Sequence, residues 1–265
     1  MKYDKRMTKS DAIVLLVCLT LLSMALGAAG PSGRRRAKEA VCLASLSRWG
    51  AIFERYTAEH DGYFYRGWDV GQTDLWMNAL RPYYQEEHRL LLCPGATKPS
   101  QSFQGAGVSA AWSRVIDLPG GGQHLYVGSY SDNTWANNVT YDRGSRVARR
   151  FWKTTQDVEQ PERVPVFADA TWHDAWPTHT DAPRSVPAGE LGDPMVLAEM
   201  NQFCIERHAG GVNSLFMDWS VRKVGLKELW TLKWHREFNA EGPWTKAGGV
   251  MATDWPQWIR QFKDF

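Results

Sequence analysis

The densest group of potential metal ligands in this chain lies in a short polar stretch of its middle third. Asp169, His173 and Asp174 come first, and His179 and Asp181 follow closely. Oxygen-rich loops suit Ca²⁺, which takes about six to eight oxygen ligands. The spacing does not match an EF-hand loop, so a solvated polar loop is the competing interpretation. We expect no obligatory cofactor, and the candidate ligands for a possible Ca²⁺ ion are Asp169, His173 and Asp174.

Four cysteines offer a second kind of chemistry. Cys18 lies in an apolar run, where a thiol acts as a small hydrophobic group. Cys42, Cys93 and Cys204 would face an oxidising space if the chain is exported, and disulfides form there. Three cysteines leave one unpaired, and the sequence does not choose the pair. A Cys42–Cys93 disulfide is one possibility, whereas the lack of a CxxC spacing argues against a zinc ribbon.

A glycine-rich segment near residue 210 invites a catalytic interpretation. Acyl transfer would need a nucleophile, a base and an orienting acid in hydrogen-bond contact. The sequence has no nucleophile elbow, HExxH or P-loop. We therefore predict that the protein is not an enzyme, with an exported hydrolase kept as a weaker alternative. The segment is expected to be structural, with side chains that satisfy backbone groups across a hairpin; its residues are His208, Gly210, Gly211, Asn213 and Asp218.

Tryptophan is abundant, with 14 residues in 265. Exposed indoles provide stacking area for a glycan or a protein partner, whereas buried indoles fill a core. We expect most of them to be core residues. The candidates for a binding face are Trp68, Trp76, Trp135, Trp172 and Trp176.

The elements that must position these residues form an α+β pattern. A short helix is predicted at Leu75–Leu80, and residues 95–123 and 171–195 are predicted to be long loops. The last two predicted strands form a hairpin that turns at Asp218–Trp219. The strand candidates are Arg89–Cys93, Leu125–Tyr130, Val164–Ala168, Val212–Met217 and Ser220–Val224.

A longer amphipathic helix is predicted upstream of these strands. Gly30-Pro31-Ser32-Gly33 should kink or interrupt it near its start, and Asp61-Gly62 provides a stop signal. Its apolar residues recur at helical spacing and give one stripe. These residues are Leu43, Leu46, Gly50, Phe53 and Tyr56.

An uncharged run at 12–29, flanked by Lys and Arg on both sides, precedes this helix. As a helix it would be about 27 Å long, close to the hydrocarbon thickness of a bilayer. It fits a cleaved signal peptide, a signal anchor or a retained pilin-type helix, and the amphipathic helix behind it favours the last. The predicted organisation is a cytoplasmic basic N-terminus at 1–11, a transmembrane helix at 12–29, the amphipathic helix at 30–62 and an exported head at 63–265.

The charge distribution excludes one class of partner. Residues 1–38 carry eight Lys and Arg against two Asp and Glu, so the rest of the chain, with 23 basic and 27 acidic residues, is mildly acidic. A nucleic-acid-binding domain needs the opposite distribution. We expect no nucleic-acid partner.

Several segments together resemble the prepilin-like proteins found in planctomycetes and their relatives. Those proteins carry a Cys-Leu helix followed by an Asp-Gly-Tyr turn, a Cys-Pro strand end, a Gly-Ser-Tyr segment, and a His followed nine residues later by Asp-Gly. Here His208 and Asp218 have that spacing, but Trp219 stands in place of the Gly, and we expect its turn to avoid the left-handed conformation. The matching segments are VCLASLSRWGAIFERYTAEHDGYF, LLLCPGA, GSYSDNTW and RHAGGVNSLFMDWSVRKVGL.

The resemblance implies a pilin-like α+β fold, with a long N-terminal helix on an antiparallel sheet and Trp-rich loops. It implies a pseudopilin-like structural protein of a type II secretion or type IV pilus-like system, held in the cytoplasmic membrane by a single pass with its head outside. Its partners would be other pilin-like subunits and inner-membrane secretion components, and Asp11 would take the place of the family's assembly glutamate. Arg6 stands where the family has the glycine before its cleavage site. The alternative is an exported glycan-binding protein with a cleaved signal peptide.

Overall fold

The computed structural model describes residues 13–20, 30–85, 87–100, 107–156, 158–190 and 198–265. Four α-helices lie in this part of the chain: α1 at 13–20, α2 at Pro31–Glu59, α3 at Trp76–Ala79 and α4 at Arg81–Tyr84. Eight strands follow. They are β1 (Lys98–Pro99), β2 (Ala110–Asp117), β3 (Gln123–Gly128), β4 (Tyr130–Asn133), β5 (Pro165–Asp169), β6 (Asp174–Ala175), β7 (Gly211–Phe216) and β8 (Val221–Gly225). Short 3-10 turns lie between β4 and β5 and between β6 and β7.

The strands form two sheets, and both are mixed. One has the order β1-β2-β3 with β1 parallel to β2, and the other has the order β6-β4-β5-β7-β8 with β6 parallel to β4. The class is α+β, but the predicted pilin-like fold is wrong. The described helices include none that is both long and apolar, and the main sheet is not purely antiparallel.

Helix α2 packs against strands β7 and β8 of the main sheet. Pro31 lies in its first turn, where a missing N–H costs nothing, and the chain leaves the helix after Glu59 through Asp61 and Gly62, both at positive φ. One face is buried while the opposite face is exposed. The buried residues are Cys42, Leu46, Trp49, Gly50, Phe53, Tyr56 and Thr57, so Cys42 and Trp49 replace the predicted Leu43 on the packed face.

The five-stranded sheet separates two hydrophobic cores. Successive residues of a strand point to opposite faces, so Leu215 of β7 packs with α2, whereas Val212 and Phe216 pack with the C-terminal segments. On β5 the same alternation turns Phe167 towards α2, where its ring lies 5.0 Å from that of Trp49. Asp169 is two residues further along β5 and therefore projects to the α2 side as well.

Two of the predicted elements between α2 and β3 are wrong. Residues 89–93 form no strand, because His88–Leu91 is a 3-10 turn, and the predicted loop at 95–123 contains strand β2. Trp112 and Ile116 of strand β2 are buried in the core. The Gly and Ser residues around them make this strand hard to recognise in the sequence. The hairpin of β7 and β8 forms as predicted, with its turn at Asp218–Trp219.

Trp219 corrects a further expectation, because its φ of +65° lies in the left-handed region. A non-glycine residue pays about 1–2 kcal/mol for this conformation. Trp219 offsets that cost by stacking on Phe53, with ring centroids 6.5 Å apart and planes 17° from parallel. Asp218 holds the turn from the other side, since its Oδ1 accepts hydrogen bonds from the Ser220 N–H and hydroxyl.

The predicted transmembrane helix and membrane localisation are also corrected. None of the helices in the described ranges has the length and apolar character needed to cross a bilayer. Of the predicted span, only 13–20 is described; the remainder of 12–29 lies outside the described residues, as does Asp11.

Candidate metal centre

Four side chains that are far apart in the sequence meet between α2 and the main sheet. Cys42 comes from α2, Cys93 follows the His88–Leu91 turn, Asp169 ends β5, and His208 precedes β7. Cys42, Cys93 and Asp169 are fully buried, and His208 is 4% exposed. One ligand atom from each of the four residues lies within 4.8 Å of all the others.

The distances within this group are short and centre on a single imidazole nitrogen. His208 Nε2 lies 3.0 Å from Asp169 Oδ2 and 3.3 Å from Cys93 Sγ. Cys42 Sγ lies 3.5 Å from the same Asp169 Oδ2. A tetrahedral ion bonded at about 2.0–2.3 Å holds its ligands about 3.3–3.8 Å from one another. Of these three separations, two lie in that range and the third is slightly shorter, while all six pairs lie within 4.8 Å.

The use of one nitrogen distinguishes this arrangement from a nucleophile and base. In a catalytic triad the histidine contacts the nucleophile through one ring nitrogen and the acid through the other. Here Cys93 and Asp169 both approach His208 Nε2. The four groups thus surround a point, as metal ligands do, and do not form a relay.

A second layer of contacts fixes Cys42, Cys93 and Asp169. The Tyr130 hydroxyl donates to Cys42 Sγ at 3.3 Å, and the Gly95 N–H donates to Cys93 Sγ at 3.3 Å. The Asn213 N–H donates to Asp169 Oδ2 at 2.9 Å, and Arg207 Nη1 lies 3.2 Å from Asp169 Oδ1. Such outer partners orient metal ligands and tune their basicity.

Arg207 carries a charged side chain that is only 1% exposed. Its guanidinium donates to the backbone carbonyls of Val108, Ser129 and Ala170 as well as to Asp169. A buried cation of this kind offsets negative charge on the adjacent ligands.

The electrostatics reflect this crowding. Burial raises the pKa of Asp169, but the His208 hydrogen bond and the Arg207 charge outweigh it, so the pKa is lowered overall. The hydrogen bond from Cys42 lowers the pKa of Cys93 to about 7 against the effect of burial. Burial raises the pKa of the Cys42 thiol. Burial also lowers the pKa of His208, but the contacts with Asp169 and Cys93 more than compensate and raise it to about 9.

The backbone between His208 and β7 turns sharply to bring the imidazole to this point. Ala209 and Gly210 have φ values of +46° and +86°, and the His208 N–H donates to the Gly211 carbonyl at 3.0 Å. A Cβ on Gly211 would lie only 2.4 Å from the backbone oxygen of Val224 on β8. The two glycines therefore have a steric role in placing His208.

This close approach gives a first prediction. We expect Gly211→Ala to lower the free energy of unfolding by about 1–3 kcal/mol, because the backbone of β8 must move away from the new methyl group. The matched control is Gly120→Ala, since Gly120 has no heavy atom within 4 Å of its added Cβ. Denaturant unfolding of both variants measures the effect, and equal stabilities would contradict it.

The structure separates the predicted calcium ligands. Asp169 belongs to the four-residue group, but His173 and Asp174 lie beyond the turn after β5 and contact each other instead, at 3.3 Å from Nδ1 to Oδ1. Asp174 also accepts a hydrogen bond from the Trp68 indole. His173 and Asp174 are therefore close to Asp169 in the sequence, but their side chains do not belong to the same site.

The other predicted site residues have distinct places. Asn213 contributes its backbone N–H to Asp169, and Asp218 stays in the hairpin turn, away from His208. Cys42 and Cys93 are free thiols side by side, so their disulfide stays a prediction. Sequence reasoning singled out all four members of the group, but for three unrelated reasons.

Of the candidate tryptophans, Trp76, Trp135 and Trp176 are buried and Trp68 and Trp172 are half-buried.

Comparison with known proteins adds no relative. No family model, no curated protein and no solved structure matches this chain. The chemistry of the site must therefore be argued from its own residues.

Proposed function

We propose that this protein binds a single zinc ion through Cys42, Cys93, Asp169 and His208, and that the ion holds α2 against the main sheet. The observation that carries the proposal is the convergence of two thiols, a carboxylate and one imidazole nitrogen on a buried point. Four protein ligands leave no open position, which is typical of structural and not catalytic zinc sites.

The donor set favours zinc over calcium. Ca²⁺ binds oxygen ligands almost exclusively, whereas two sulfurs and an imidazole suit a borderline-soft ion such as Zn²⁺. The group is the one cluster of this kind within the described ranges.

The charges also balance. Two thiolates and one carboxylate carry three negative charges, while Zn²⁺ and the buried Arg207 guanidinium carry three positive ones. A buried ionic group is tolerated when its charges are paired and hydrogen-bonded, and the three anionic ligands here have such partners. Because Zn²⁺ displaces protons from the thiols and the imidazole, its affinity should rise with pH.

The test uses the full chain, purified under reducing conditions and loaded with Zn²⁺ or Co²⁺. We expect one bound zinc per chain and, with Co²⁺, the intense absorption of a tetrahedral thiolate site. Cys93→Ser should lose the cobalt spectrum and most of the zinc, since a hydroxyl does not replace the thiolate. Cys204→Ala is the matched control, because Cys204 is an equally buried free thiol outside the group.

Two results would contradict the proposal. The first is a wild-type chain that retains no zinc after mild dialysis. The second is equal loss of zinc in Cys93→Ser and Cys204→Ala, which would indicate general unfolding and not ligand removal. The thermal unfolding midpoint, measured with and without a chelator, distinguishes ligand removal from general unfolding, because a structural ion raises the midpoint of a folded chain.

Assembly as a pseudopilin-like subunit stays a prediction from the resemblance, and the absence of enzymatic activity stays a prediction from the missing catalytic motifs. Its carboxylate, Asp11, is not among the described residues. The zinc proposal does not depend on it, since all four ligands lie in the head and in the buried part of α2.

A further inference from the structure

A short strap crosses the loop that carries His208 to the metal centre. The strap is residues 260–265, which follow the 3-10 turn Gln257–Ile259 and form neither a helix nor a strand. Ile259 is fully buried and fixes the start of the strap, whereas every residue of the strap itself is exposed or half-buried. The strap is therefore held in place by individual contacts and not by regular secondary structure.

The first of these contacts joins the strap to a buried lysine. Lys227 is 1% exposed, and its Nζ donates to Asp264 Oδ1 at 2.6 Å and to the Arg260 carbonyl at 3.2 Å. The same ammonium group lies 5.2 Å from the centre of the Trp255 ring. A buried ammonium group is costly unless it is paired, so Lys227 favours the attached position of the strap.

Two aromatic rings complete the attachment. Phe262 lies over Gly210, where an added Cβ would be 3.0 Å from the ring, and Phe265 lies over Gly225 at the same distance. Gly210 precedes β7 and Gly225 ends β8, so the two rings cover one end of the β7–β8 hairpin. The rings approach this closely because a glycine places no side chain between the backbone and the ring.

The contact at Gly210 is only two residues away from a metal ligand. His208 is followed by Ala209 and Gly210, which both have positive φ and form a tight loop. The Leu226 N–H donates to the Gly210 carbonyl at 3.3 Å, which is longer than usual for this kind of hydrogen bond. The Phe262 ring is therefore an important restraint on outward movement of the loop.

His208 differs from the other metal ligands in how it is supported. Cys42 lies on α2 and Asp169 on β5, and both elements contribute side chains to a hydrophobic core. The His208 loop is covered instead by the strap, a surface segment. Segments with few buried contacts open locally at a lower free energy than the whole fold. The imidazole is therefore the ligand that should leave first when the ion is released.

We propose that the strap is a latch that controls release of the zinc ion, an inference that rests on the proposed zinc site. The ion pair between Lys227 and Asp264 keeps the strap attached. The attached strap keeps the Phe262 ring on the His208 loop, so that zinc leaves only after the strap detaches. Asp264 and Phe262 are thus positioning residues and not metal ligands.

The experiment follows zinc release from the loaded full chain into an excess of a chromophoric chelator, at about 0.05 M and about 0.5 M NaCl. The Asp264 side chain is 41% exposed, so salt screens its attraction to Lys227. We expect wild-type release to be faster at the higher salt concentration. Asp264→Asn should release zinc about fivefold faster than wild type at low salt, and its rate should not respond to salt.

The matched control is Asp254→Asn, which makes the same chemical change at an exposed carboxylate that accepts the Met251 N–H. It should keep both the wild-type release rate and the salt response. Phe262→Ala should also release zinc about fivefold faster, without a salt response, because the strap no longer touches the loop. Since both substitutions open the same latch, the double variant Asp264→Asn, Phe262→Ala should be no faster than Phe262→Ala.

The outcomes separate the latch from the zinc site. A wild-type chain that holds no zinc refutes the zinc site and the latch with it. The latch alone is overturned if the chain holds zinc but Asp264→Asn and Asp254→Asn release it at the same rate, or if wild-type release does not respond to salt. Additive effects in the double variant would also overturn it, because they indicate general destabilisation.

Discussion

Asp169→Ala is expected to lower the free energy of unfolding by about 3–5 kcal/mol, even with a chelator present. The carboxylate is fully buried and faces the Arg207 guanidinium, His208 Nε2 and the Asn213 N–H. Its removal leaves a buried cation without its ion-pair partner and two donors without an acceptor. Breaking such a pair by deleting one partner costs far more than the net worth of the pair.

The matched control is Asp218→Ala, which removes an exposed carboxylate from the hairpin turn of the same sheet. We expect a loss of about 1 kcal/mol there, since only turn contacts with Ser220 disappear. Denaturant unfolding in chelator and in excess zinc gives both values. A loss below that of Asp218→Ala would show that Asp169 does not hold Arg207 in place. Zinc should raise the free energy of unfolding of the wild-type chain relative to chelator. If Asp169→Ala shows no such increase, the zinc effect depends on this carboxylate.

The second large effect concerns pH and a different buried carboxyl group. Asp132 is buried on β4, and burial, together with the nearby charge of Asp174, raises its pKa to about 8. The hydroxyls of Tyr65 and Thr134 donate to its two oxygens at 2.9 and 3.1 Å. The unfolded chain releases this proton near pH 4, so between pH 4 and 8 the folded state binds one more proton.

The sign follows directly. Where the folded state binds more protons, stability falls as pH rises, by about 1.4 kcal/mol per pH unit for one group. The loss should level off above about pH 8. Asp132→Asn keeps the shape and removes the titration, so we expect its stability relative to wild type to increase steadily from pH 5 to pH 8.

Denaturant unfolding across this range, with the same zinc concentration throughout, measures the difference between the two chains. Asp218→Asn is the control, because it makes the same chemical change at an exposed turn. Parallel stability curves for wild type and Asp132→Asn would show that Asp132 is ionised in the folded protein. Such a result would also remove the electrostatic reason for the predicted alkaline loss.

The fold was predictable where local pattern and packing agree. The helix at Pro31–Glu59 has an apolar face at helical spacing and an Asp-Gly stop, and β7 and β8 alternate around a turn. The pattern failed at residues 89–93, where an apolar run resembling a strand forms a 3-10 turn because its leucines enter a core built by α2 and β3. It failed again at Trp219, whose backbone adopts a left-handed conformation that is unfavourable for a non-glycine residue. Stacking of the Trp219 ring on Phe53 offsets the free-energy cost of that conformation.

The metal centre shows the limit of sequence reasoning most clearly. Cys42, Cys93, Asp169 and His208 were each singled out from the sequence, but as a disulfide, a calcium ligand and a hairpin residue. Between Cys42 and His208 lie more than 160 residues, and no spacing rule connects ligands contributed one at a time by a helix, a turn, a strand end and a loop. His173 and Asp174 are nearer to Asp169 in the chain but are turned elsewhere.

The sequence by itself determined the amphipathic helix, the final hairpin, the acidic character of the body and the set of residues with reactive or metal-binding side chains. These features depend on composition and on contacts between near neighbours in the chain. Tertiary structure alone decided which of those residues act together. Side-chain direction on a strand is set by its register in the sheet, so Asp169 meets Cys42 only because Phe167 and Asp169 of β5 both face α2. That register depends on pairing with β4 and β7, which no local pattern encodes.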